Sequence, residues 1–161
     1  MTELTPSADG AGLRAAIVAA RYNGFVTEPL ARGAAQCLRE RGVADEDIVT
    51  AWVPGALEVP AVVARMARVP RDRVAGTGFD VIVAVGCVIR GDTDHYEHVC
   101  RAAVEGVAAV ASQARVAVGN AILTVHAAAQ ARERSGPGET NKGREAALAA
   151  LEVADLFRRI G

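Results

Sequence analysis

The chain has 161 residues, 51% hydrophobic and 23% charged, with a formal net charge of −1. That length suits one domain burying roughly two thirds of its unfolded surface, so no staple is required, and the near-zero balance excludes nucleic acid and anionic membrane as partners recognised by bulk charge. Three cysteines, Cys37, Cys87 and Cys100, are an odd count without a close metal-type pair, which fits reduced thiols and a cytoplasmic location.

Residues 1–11 are polar and lack a basic start followed by an apolar core. They read as a flexible N-terminal arm, not a secretory signal, and 12–161 as a single domain. Residues 13–20 are apolar apart from Arg14, as in a strand covered on both faces. Thr27 is the expected cap of a first helix, with Glu28 and Pro29 in its first turn and Leu30, Ala34, Ala35 and Leu38 at helical spacing until Gly42. A second strand is predicted over 48–53 and a second helix over 57–68, with Val59, Val62, Val63 and Met66 inward. A basic surface loop, 70–78, leads to a third strand over 79–85. The longest apolar stretch, 81–89, is less than half of the roughly 20 residues that a membrane helix needs.

A third helix is predicted over 94–111, with Val99, Ala103, Gly106, Val107 and Val110 on one side, then a fourth strand over 116–124 and a short helix over 127–134. Asn141 caps a closing helix whose stripe is Ala147, Leu148, Leu151 and Ala154. Strand and helix alternate with short connections, which implies right-handed crossovers and an α/β fold. The expected architecture is a three-layer αβα sandwich around a central four-stranded, mainly parallel sheet. Ligands of such sheets bind beyond the carboxyl ends of the strands, and the informative loops fall at that edge.

Gly91 permits a tight turn before a helix whose free amides and positive dipole end suit a phosphate; an ordinary cap by Thr93 or Asp94 is the plain alternative. His95, in the first helical turn, is placed to move protons near neutral pH, or is merely solvated. His98, with Cys87 or His126, lacks a recognised zinc spacing, and no metal is expected. Tyr22 can stack on a flat heterocycle or pack on the next helix. Trp52 is expected in the core. Glu58, Arg134 and Lys142 each have a surface explanation taken singly.

Together the stretches Arg21-Tyr22-Asn23, Val53-Pro54-Gly55-Ala56-Leu57-Glu58-Val59-Pro60, Gly86-Cys87-Val88-Ile89-Arg90-Gly91-Asp92-Thr93-Asp94-His95, Gln130-Ala131-Arg132-Glu133-Arg134-Ser135-Gly136 and Asn141-Lys142-Gly143-Arg144-Glu145-Ala146-Ala147 resemble, in unbroken order, the motifs of the 6,7-dimethyl-8-ribityllumazine synthases of riboflavin biosynthesis. The resemblance implies a flavodoxin-like sheet and a transferase without metal or organic cofactor, joining 5-amino-6-(D-ribitylamino)uracil to 3,4-dihydroxy-2-butanone 4-phosphate. It implies Tyr22 stacked on the pyrimidine beside Asn23, with the backbone of Ala56, Leu57, Cys87, Val88 and Ile89 and the Glu58 side chain around ring and ribityl chain. Asp92 and Thr93 would line the phosphate site with Arg134 as its cation, supported by Lys142, and His95 would shuttle protons. It also implies a homopentamer in which a neighbour contributes Asn120, and the turn over 135–140, without insertion, resembles members that close a 60-subunit icosahedral shell. An archaeal-type riboflavin synthase and a non-catalytic lumazine or flavin binder are the alternatives. Departures from the family pattern are Tyr22 in place of the commoner phenylalanine or tryptophan, Ala129, Gly138, and a longer loop after Met66.

Overall fold

A computed structural model describes residues 1–161. Four strands, β1 (Ala15–Ala20), β2 (Ile48–Val53), β3 (Val81–Ile89) and β4 (Ala117–Val125), form one wholly parallel sheet in the order β2-β1-β3-β4. The helices α1 (Gly24–Glu40), α2 (Val59–Ala67), α3 (His95–Gln113), α4 (Ala128–Ser135) and α5 (Lys142–Ile160) complete the αβα sandwich that the alternation predicts.

The two-residue period of a strand sorts the core. Ala15, Ile17 and Ala19 of β1, with Val81, Val83 and Val85 of β3, face α1 and α5; Ala16, Val18, Ala20, Ile82 and Ala84 face α2 and α3. Both faces are therefore dry, which is why these strands read as continuous apolar runs. On the first face the layers approach closely: a Cβ on Gly119 would strike the Ala146 carbonyl, and one on Gly143 the Leu30 carbonyl. Asn141 locks this corner. It is 3% exposed; its Oδ1 accepts from the amides of Gly143 and Arg144, and its Nδ2 donates toward the carbonyls of Pro29, Ser135 and Gly136. The expected cap of α5 thus also ties α4 and α1 to it.

Two expectations are corrected. Thr27 does not cap α1: the helix starts three residues earlier, because Asn23, in left-handed conformation, accepts from the amides of Val26 and Thr27. Thr27 is then an interior, buried residue, and its hydroxyl has no partner. Trp52 is 45% exposed, not core, because β2 is the sheet's outer strand and Trp52 lies in the groove between it and α1.

The surface loop 70–78 carries local order. Asp72 and Thr77 pair as an antiparallel bridge, Asp72 Oδ1 accepts from the amides of Val74 and Ala75, and Arg71 joins Asp80 at 2.9 Å. Residues of the N-terminal arm lie against α5, where the Ser7 amide donates to Asp155 and Arg159 donates to the Thr5 carbonyl. No helix is long and apolar enough to cross a membrane.

Candidate active site

The sheet's carboxyl edge is stepped. β1 pairs with β3 only as far as Val85, whereas β3 continues beside β4 to Ile89. Beyond β1, the side-chain amide of Asn23 takes over the ladder and donates to the Cys87 carbonyl at 2.9 Å. On the other side, the Arg90 amide donates to Val125. Backbone polar groups along a strand alternate in direction, so Ile89 points its N–H and C=O the same way as Cys87, over the end of β1, where no backbone partner meets them. A donor and an acceptor thus sit free at an edge, a pattern that fits a heterocycle carrying its own donors and acceptors.

Tyr22 stands beside this edge. Its amide donates to the Pro54 carbonyl and that of Arg21 to Val53, so the loops after β1 and β2 are stitched together. Its side chain is 73% exposed, not packed on α1. Across from it, Ala56 is buried, Leu57 is exposed, and Glu58, at the start of α2, accepts from the Gly55 amide at 2.8 Å. That bond holds the Pro54-Gly55-Ala56-Leu57 turn and leaves the other carboxylate oxygen unengaged.

The loop over 90–94 is wholly exposed. Asp94 opens α3 with no side-chain cap; its carbonyl accepts from Glu97 and His98, leaving the amides of His95 and Tyr96 without backbone acceptors. These free donors at the helix's positive end favour an anion, with Thr93 and the carboxylate of Asp92 beside them. His95 is exposed at the same mouth. No three His, Cys, Asp or Glu side chains gather as metal ligands.

Asn120, Arg134 and Lys142 lie elsewhere. They line a groove of about 420 Å³ along the open edge of β4, with Glu145 beside them. Asn120 Oδ1 satisfies the Ile122 amide of its own strand at 2.9 Å, Arg134 donates to the Gln130 carbonyl at 2.9 Å, and Lys142 pairs with Glu145 at 2.5 Å. Within the chain the predicted residues therefore fall in two groups: Tyr22, Asn23, Ala56, Leu57, Glu58, Cys87, Val88 and Ile89 at the carboxyl ends of β1, β2 and β3, with the Asp92, Thr93 and His95 loop following β3, and Asn120, Arg134 and Lys142 along the open edge of β4. Burial pushes the Cys87 thiol up to about 11, so it is neutral near pH 7.

The sequence had not indicated a second layer behind the α3 mouth. The Tyr96 ring meets His126 edge-on with centroids 6.1 Å apart, and the Arg90 guanidinium lies 5.9 Å from the Tyr96 centroid. Its one sequence signal is an aromatic, a histidine and an arginine falling just beyond two strand ends, those of β3 and β4.

Residues 12–158 match the family model described as 6,7-dimethyl-8-ribityllumazine synthase. The chain is 47% identical over 151 residues, 94% of its length and 89% of the relative's, to the 6,7-dimethyl-8-ribityllumazine synthase of Anaeromyxobacter dehalogenans strain 2CP-C. It is 46% identical, with the same coverage, to that of Anaeromyxobacter sp. strain K, and 46% over 91% of its length and 86% of the relative's to that of Anaeromyxobacter sp. strain Fw109-5. With the stepped sheet edge and the β3–α3 mouth in place, this match over nearly the whole length means that the chain belongs to the 6,7-dimethyl-8-ribityllumazine synthase family.

Proposed function

We propose that this chain is a transferase of riboflavin biosynthesis that condenses 5-amino-6-(D-ribitylamino)uracil with 3,4-dihydroxy-2-butanone 4-phosphate, giving 6,7-dimethyl-8-ribityllumazine. The observation that carries it is the overhang of β3: the unpaired N–H and C=O of Ile89 beside exposed Tyr22, in a chain of this family. The uracil ring lies on Tyr22 and bonds that strand edge, with Asn23 shaping the floor and Ala56, Leu57, Cys87 and Val88 around it. The Glu58 carboxylate takes hydroxyls of the ribityl chain. Asp92 and Thr93 line the phosphate site, where the Thr93 hydroxyl and the free amides opening α3 donate to the phosphate oxygens.

The pyrimidine amine attacks the ketone and an imine forms with loss of water. Phosphate then leaves, and the ribityl-bearing nitrogen closes the ring with loss of a second water. Each step moves a proton and none needs a strong nucleophile, so His95 with ordered water suffices. Holding the two substrates face to face supplies much of the acceleration, up to about 7 to 11 kcal/mol in well-oriented cases.

The cations assigned to the phosphate, Arg134 and Lys142, line the groove along the open edge of β4, away from the mouth of their own chain. A second copy brings its Asn120, Arg134 and Lys142 to the mouth, which makes the working unit a ring; we assign a homopentamer, with closure into a 60-subunit shell through the turn over 135–140. Residues 12–161 act as one domain, with 1–11 as an arm, in the cytoplasm. The test is to mix both substrates with the purified chain and follow lumazine fluorescence. Product formed no faster than in buffer would leave only a binder, and riboflavin made from dimethylribityllumazine alone would mean the alternative synthase.

A further inference from the structure

The loop that carries the phosphate-binding and proton-moving groups is poorly anchored by itself. Residues 91–95 are all exposed, no side chain caps α3, and Asp92 and Thr93 make no side-chain hydrogen bond within the chain. A Cβ added at Gly91 would meet nothing within 4 Å, so the turn is not wedged by its neighbours. Yet a reacting atom displaced by about 1 Å loses roughly a hundredfold in rate. Something else must register this loop against the strand ends.

Tyr96 links the entry of the loop to the end of β4. Its ring takes the Arg90 guanidinium from the loop's entry, at 5.9 Å from the centroid, and meets His126 edge-on at the end of β4. The backbone of each partner is itself fixed. Arg90 is held by its amide on Val125, and the β4–α4 turn bearing His126 is closed by Gln130 Oε1, which accepts from the amides of His126 and Ala127. Together the cation–ring and edge-on ring contacts favour one loop position over its neighbours.

We propose that Tyr96 is a positioning residue for the condensation: its ring, clamped between Arg90 and His126, sets the register of the loop and of the first turn of α3, and through them the places of His95 and the ketone phosphate. It does not touch substrate. The proposal rests on the function assigned above, and it predicts a split. The pyrimidine pocket is built from Tyr22, Asn23 and the β3 edge, so it is insensitive to Tyr96; turnover and use of the phosphorylated ketone are sensitive.

The experiment compares Tyr96→Leu, Tyr96→Phe and His126→Ala in the full chain. In Tyr96→Leu we expect kcat to fall about tenfold to a hundredfold and KM for the phosphorylated ketone to rise several-fold, with calorimetric affinity for the pyrimidine within about twofold of wild type. Tyr96→Phe restores most of the loss, because the ring and not the hydroxyl carries the clamp. His126→Ala, which leaves the core intact, gives a smaller loss with the same split, and decides the matter if Tyr96→Leu does not fold. A kcat within about twofold of wild type in both Tyr96→Leu and His126→Ala, or pyrimidine affinity falling in step with kcat, overturns the proposal. An inactive wild-type chain would instead overturn the assigned function.

Discussion

The side-chain amide of Asn23 donates to the backbone carbonyl of Cys87 at 2.9 Å, and Asn23 is the only non-glycine residue with a positive φ, 58°. One residue thereby starts α1, ends the pairing of β1 with β3, and leaves Ile89 open to a ligand.

Replacing Asn23 separates these roles. Asn23→Ala loses the hydrogen bond and keeps a Cβ in the left-handed region without the side-chain amide that offsets its cost, for a combined loss of about 2 kcal/mol. Asn23→Gly tolerates the backbone and loses chiefly the bond, so it should be the milder change. Urea unfolding orders the variants. Equal losses would mean that backbone conformation is not what Asn23 supplies. Both should weaken pyrimidine binding, read by calorimetry.

The Cys87 thiol gives an alkaline signature. Burial holds it up to about 11, whereas in the unfolded chain it titrates near the ordinary thiol value of roughly 8.5. Between those limits the folded chain keeps a proton that the unfolded chain has released, so stability is complete below the lower value and declines as pH rises toward the upper one. Cys37 is raised in the same direction, also first by burial. Urea midpoints at neutral pH and in the alkaline window should therefore show a fall that is smaller, but not absent, in Cys87→Ala. An unchanged slope in that variant would remove Cys87 from the account.

What the sequence disclosed follows from how local each determinant is. The four strands, the two dry faces and the α5 cap at Asn141 are written in runs of four to nine residues, through apolar continuity and one capping side chain. The start of α1 was misjudged because Gly24-Phe25-Val26 carries no polar cap, while Asn23 acts through a left-handed backbone that composition does not reveal. Trp52 looked like core because the outer position of β2 is decided by distant pairing. The division of Tyr22 and His95 from Asn120 and Arg134 depends on the length of the whole sheet, so no local pattern contains it.

His95→Ala should lower kcat by about tenfold to a thousandfold without abolishing it, because substrate alignment persists when the proton shuttle is removed. Steady-state turnover with both substrates saturating reads the effect directly. A folded variant with no activity above buffer would give the histidine a larger role than proton transfer.

Arg134 is exposed and loosely held, bonded only to the Gln130 carbonyl and 3.7 Å from Glu133, so it is free to turn toward an anion. Arg134→Ala should raise KM for the phosphorylated ketone about tenfold to a hundredfold, the worth of a charge-assisted contact, while calorimetry finds pyrimidine affinity unchanged. Arg134→Lys should recover part of it, since it restores the charge but not the planar fork. Equal weakening of both ligands would move Arg134 out of the phosphate site.

The separation of the two residue groups within one protomer allows a sharper test by mixing. His95→Ala damages the mouth that a protomer offers, and Arg134→Ala damages the edge that it lends to its neighbour. If the site spans two copies in a ring, co-assembling equal amounts of the two variants from unfolded chains restores a native His95 opposite a native Arg134 at about a quarter of the interfaces. Activity should then exceed the sum of the separately refolded variants. If each site were complete within one chain, no pairing could join the two intact residues, and the mixture would show only the average of its parts.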